Sequence, residues 1–102
     1  MVSYRMWVPN RQGRSVLHFR AAEITPRSVV HISATEATPL DPPVLSGQNF
    51  GGFIGDASIT VQNVSPGNGV VDFVVFVDFF APLNVVTDIT ILDPPAQIVI
   101  GT

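Results

Sequence analysis

The sequence predicts an all-β protein, an antiparallel β-sandwich of about seven strands, and three observations lead there. β-branched and aromatic runs recur along the chain, each bounded by Gly, Pro, Asn or Ser. No stretch sustains the helical apolar period of about 3.6 residues, and nine prolines and eight glycines break the chain repeatedly. Hydrophobic residues make up 46% of the 102 positions and charged residues only 13%, about half the globular average of roughly 25%. That balance excludes a disordered chain, and the length suits one domain spanning residues 1–102.

Strands are expected at Ser3–Val8, Ser15–Ala22, Ser28–Ala37, Ala57–Val64, Val70–Phe80, Val85–Leu92 and Gln97–Ile100. Arg11-Gln12-Gly13 links the first two, and Thr25-Pro26 separates the second from the third. Ser65-Pro66-Gly67-Asn68-Gly69 holds an Asn-Gly pair, which takes the positive φ angles that tight hairpins demand. Ala81-Pro82-Leu83-Asn84 makes the next reversal, so residues 57–92 read as a three-stranded antiparallel meander. Residues 38–56 form a Pro- and Gly-rich connection, longer than the roughly 12 to 15 residues at which structureless loops become uncommon. Its apolar members Val44, Leu45, Phe50, Phe53 and Ile54 should pack on the domain or reach a partner.

A weak repeat relates Thr35–Pro43 to Thr87–Pro95, and Ser15–Phe19 to Gly69–Phe73. It suggests two pseudo-repeated three-stranded halves packed face to face, in an immunoglobulin-like or jelly-roll-like arrangement. Chance convergence of strand and turn vocabulary is the alternative.

Charge is segregated. Arg5, Arg11, Arg14, Arg20 and Arg27 are the only cations, and Glu23 is the one acid among them. From Ser28 onward there is no cation, against Glu36, Asp41, Asp56, Asp72, Asp78, Asp88 and Asp93. The two halves either neutralise each other within the chain or meet across copies, where arginine suits interface ion pairs.

Alternation along Val70–Phe80 sends Val71, Phe73, Val75, Val77 and Phe79 to the core. The opposite row, Val70, Asp72, Val74, Phe76, Asp78 and Phe80, is mostly apolar where a solvent face should be polar. Val86, Asp88, Thr90 and Leu92 extend that pattern on the next strand. A monomer seldom leaves such a patch bare. The 38–56 connection, the Gln97–Ile100 strand or another copy is expected to cover it. The candidate interface therefore joins the five arginines to Asp72, Val74, Phe76, Asp78, Phe80 and Asp88. A head-to-tail contact of this kind builds rings or filaments.

Other chemistry is poorly represented. There is no cysteine, which excludes disulfides and thiolate chemistry. No nucleophile elbow, phosphate loop, HExxH segment or EF-hand loop occurs. His18 could pair with Asp72 for acid–base work, and Asp78 and Asp88 could approach each other across a hairpin, yet strand-borne groups without a surrounding motif are most simply structural. No catalytic residue, cofactor or metal is expected. The lysine-free, acidic chain does not suit nucleic acid, and no apolar run reaches the ~18 residues of a membrane span. The N-terminus lacks a signal-peptide layout, so cytoplasmic synthesis is expected, with incorporation into a particle or surface assembly.

The expectation is a non-enzymatic, self-associating structural subunit of coat, filament or appendage type, its partner a further copy of itself. The rival is a small lectin-like module binding a glycan through Tyr4, Trp7, Asn49, Phe50 and Asn68.

Overall fold

A computed structural model describes residues 1–39 and 50–101. The chain is all-β: β1 (Val2–Arg11), β2 (Gly13–Arg20), β3 (Val29–Pro39), β4 (Phe50–Phe53), β5 (Ser58–Pro66), β6 (Val70–Asp78) and β7 (Leu83–Leu92). These form two antiparallel sheets, one ordered β1-β7-β3-β4 and the other β2-β6-β5.

The expected alternation of β6 is borne out: Val71, Phe73, Val75 and Val77 are fully buried. They meet Val8, Val85, Ile89 and Ile91 from the other sheet, with Leu17 of β2 and Ile24 of the β2–β3 loop completing the cluster. Ile24 is held by the backbone. Its amide donates to Ala21 O (3.1 Å), and its carbonyl accepts from the Gly69 amide (2.8 Å), which zips this loop to the β5–β6 turn. Gly69 sits at φ +73° while Asn68 keeps a negative φ, so the expected reversal forms but not as the two-residue turn in which both take positive φ. Thr87, buried in the same sheet interface, donates its hydroxyl to Met6 O (3.2 Å).

Three expectations change. The meander ends after one hairpin: β5 pairs with β6, but β7 crosses to the other sheet and lies between β1 and β3. The reason is burial. β6 and β7 are the two most apolar strands, and each takes a sheet centre, where both edges are paired; a meander would leave β7 at a rim. Arg11-Gln12-Gly13 is likewise a corner between sheets, and the Gln12 side-chain amide donates to Phe79 O (3.4 Å) at the second corner.

The second change is β4, a strand inside the expected connection, pairing with β3 from Glu36↔Phe53 to Pro39↔Phe50. Val44, Leu45, Asp41 and Asn49 lie outside the described residues. The third is that Gln97–Ile100 forms no strand. Two asparagines do what the sequence reading left unassigned: Asn10 (φ 59°) and Asn63 (φ 54°) occupy the register shifts of β1 and β5, bulges where a positive φ suits Asn. The expected halves do not form two separate sheets packed face to face: each sheet mixes strands from both, with β2 beside β6 and β3 beside β7.

Candidate self-association interface

Crossing of β7 splits the expected patch. The outer row of β6 belongs to the three-stranded sheet and that of β7 to the four-stranded sheet. Asp78 and Asp88 therefore stand on different sheets and do not face each other across a hairpin.

Register builds the three-stranded outer face row by row. Arg14, Phe76 and Thr60 form one row, Val16, Val74 and Gln62 the next, then His18, Asp72 and Ser65, with Arg20 beside Val70. Val74, expected at the interface, is only 4% exposed and offers a partner no surface, whereas Phe76 is 38% exposed and Phe80, past the strand end, almost wholly so. Phe80 packs on Phe79 with ring centroids 4.3 Å apart and the planes tilted by 34°. His18 Nδ1 lies 2.6 Å from Asp72 Oδ1, both half exposed. Arg14, Arg20 and Arg27 make no ion pair among the described residues, and the half-buried Arg11 has a buried Nε without a partner there.

On the four-stranded sheet, Arg5 Nε and Nη2 donate to the Asp88 carboxylate at 2.6 and 3.0 Å, and Arg5 Nη1 donates to Phe50 O at 2.7 Å. Two of the segregated charges thus neutralise each other inside the chain. Both are about half exposed, so solvent screening holds the pair to about 1 kcal/mol or less. Its structural effect is to tie β4 to β1 across the sheet. Trp7, 45% exposed, then stacks on Phe50 (5.3 Å between centroids, 12° between planes) above the buried Val86. Ser3 and Thr90 hydroxyls meet at 3.1 Å beside Asp88, lining a shallow cleft of about 340 Å³. Of the expected glycan residues, Trp7 and Phe50 come together. Tyr4 turns to the opposite face against Phe19 (4.9 Å), and Asn68 lies in the β5–β6 turn of the other sheet.

Tyr4 also makes a contact that sequence reading missed: its hydroxyl donates to Glu23. That hydrogen bond lowers the Glu23 carboxyl below its ordinary 4.5 and raises the Tyr4 phenol above its ordinary 10.0. The contact needs an ionised Glu23 and a protonated Tyr4. Its stabilisation is lost as pH falls through the depressed carboxyl and again as pH rises through the raised phenol. Tyr4 is the only tyrosine, so an absorbance titration reads it directly. The midpoint should lie above 10.0 and fall in Glu23→Gln; an unchanged midpoint would deny the contact.

Further exposed apolar side chains are Met1, Val16, Phe53 and Ile54, and then the segment after β7. Ile98, Val99 and Ile100 are 95%, 79% and 93% exposed. Pro94, Pro95 and Ile98 line a cleft with Pro26, Arg27, Ser28 and Val29, so the segment leaves along the β2–β3 loop.

Comparison with protein-family models, with curated proteins and with solved structures finds no match. Among the described residues no three His, Asp or Glu side chains cluster as a metal would require, and no helix is long and apolar enough to cross a membrane.

Proposed function

We propose that this chain is a non-enzymatic β-sandwich that self-associates as a structural subunit, of coat, filament or appendage type. One observation carries the reading: three consecutive β-branched side chains, Ile98–Ile100, stand almost fully exposed on a chain poor in charge. Burying such a side chain stabilises by about 1.5–3 kcal/mol, so covering all three favours association strongly. Phe76, Phe80 and Val16 add apolar surface on the three-stranded face, bordered by Arg14 and Arg20. Electron microscopy of the concentrated protein tests this reading. Rings or filaments are expected; a field of isolated particles of single-chain size would refute it.

The Trp7–Phe50 stack supports a second reading, a shallow glycan site. An aromatic face beside the Arg5–Asp88 pair and the Ser3 and Thr90 hydroxyls offers a sugar both stacking and hydrogen bonds. A glycan array read with quenching of Trp7, the only tryptophan, separates the two readings: binding that Trp7→Ala abolishes belongs to this site.

A further inference from the structure

We propose that the segment Gln97–Gly101 of one copy adds as a strand to the open flank of another, between the edges of β1 and β2. This rests on the self-association reading and names its mode. Among the described residues β1 pairs only with β7, and β2 only with β6. Each therefore carries one row of backbone N–H and C=O groups with no ladder partner. The corner through Gln12 brings these two edges to the same flank. A cleft of about 300 Å³ opens between them, with Met6, Val8 and Leu17 as its floor, Trp7, Val16 and His18 at its rim, and Pro9 and Arg11 closing one end.

An unpaired edge is a template for another strand unless it is blunted by charged side chains, lysine above all, by proline, a bulge or extreme shortness. No lysine, proline or bulge lies on β2 from Gly13 to Arg20 or on β1 from Val2 to Val8, where the cations are Arg14, Arg20 and the Asp88-paired Arg5; the β1 bulge and Pro9 come at the end of this stretch. The unguarded part of β1 is roughly 23 Å long at about 3.3 Å per residue.

The segment Gln97–Gly101 fits this flank. Extended, it spans roughly 17 Å. Ile98 and Ile100 would share one face and Val99 take the other, so the inward pair would meet the apolar floor while Val99 lay between Trp7 and Val16. The segment is uncharged, so it meets no like charge on flank strands that carry Arg11, Arg14 and Arg20 besides the Asp88-paired Arg5.

The donor has to come from a second copy. Asp93-Pro94-Pro95 leaves β7 as a stiff extended lever that sets Ile98 against Pro26–Val29, on the β3 side. The chain's own open flank lies on the other side of β7, beyond β1. Donor and acceptor are different surfaces, so each copy can give to one neighbour and receive from another, which makes a head-to-tail assembly.

The test uses the full chain, with mass read by light scattering after size exclusion. Ile98→Asp/Ile100→Asp removes the donor; Val16→Asp, at an exposed rim position, charges the acceptor cleft, and Val16→Lys replaces it if far-UV circular dichroism shows a disturbed fold. The wild type should give multiples of the 10.9 kDa chain, and each variant alone a monomer. An equimolar mixture should give one-to-one pairs and nothing larger, because only one variant can donate and only the other accept. A donor variant that keeps the wild-type mass, or a mixture that stays monomeric, overturns the strand exchange while leaving self-association standing. A monomeric wild type overturns both.

Discussion

Phe73→Ala should lower the stability of the folded chain by about 3–5 kcal/mol, read as a shift of the urea midpoint without a change of slope. Phe73 is the largest fully buried side chain. It lies at the middle of the central strand β6, opposite Leu17 of β2 and against the buried residues of the other sheet. Truncation removes its transfer free energy and leaves a cavity that β-sheet backbones on both sides collapse into poorly. Against a typical total of about 5–15 kcal/mol, the loss is a third or more. With no cysteine in the chain, no cross-link limits the damage. Phe76→Ala, three residues along the same strand but on the outer face, is the control and should cost far less; equal effects would mean that the two faces of β6 are wrongly assigned.

Gly52→Ala should destabilise by about 1–3 kcal/mol, the usual cost of forcing atoms into filled space, and should also move the emission of Trp7. A Cβ at Gly52 would overlap the Thr35 hydroxyl of the neighbouring β3. Relief comes from rotation of the exposed Thr35 side chain, whose Cβ is itself only 3.0 Å away, together with a shift of β4 from β3, and β4 carries Phe50, the residue stacked on Trp7. One substitution therefore reads the close β3–β4 approach and the aromatic platform together. Thr35→Ala in the same chain should recover part of the loss, since it removes the nearest atom. Unaltered Trp7 emission in Gly52→Ala would separate β4 from the platform.

Much of the fold was legible because strand patterning is local. The odd positions of β6 were assigned to the core from alternation alone, and Asn68-Gly69 marked the hairpin that closes β5 on β6. Pairing was harder to read. The destination of β7 depends on competition for the two sheet centres, which no window of residues contains. β4 was read as loop because Phe50-Gly51-Gly52-Phe53 lacks the β-branched residues that flag a strand. Gly52 allows the close approach to β3, where a Cβ would overlap Thr35.

The site was legible in kind and not in geometry. Segregated charge pointed to arginine–aspartate pairing, and Arg5–Asp88 forms within the chain, while Arg14 and Arg20 border the exposed Phe76 and Val16. Trp7 and Phe50 were named together, but nothing in their separation along the chain announced the stack. Gln97–Ile100 was read as a strand from its side chains, and those side chains say nothing about whether an edge within the same chain can receive them.

The most direct measurement for self-association is the light-scattering mass of the unmodified chain over a range of concentrations. The account predicts a mass that exceeds 10.9 kDa and climbs by whole multiples as concentration rises. A mass fixed at 10.9 kDa at every concentration would contradict it and leave the Trp7–Phe50 platform as the surface to pursue.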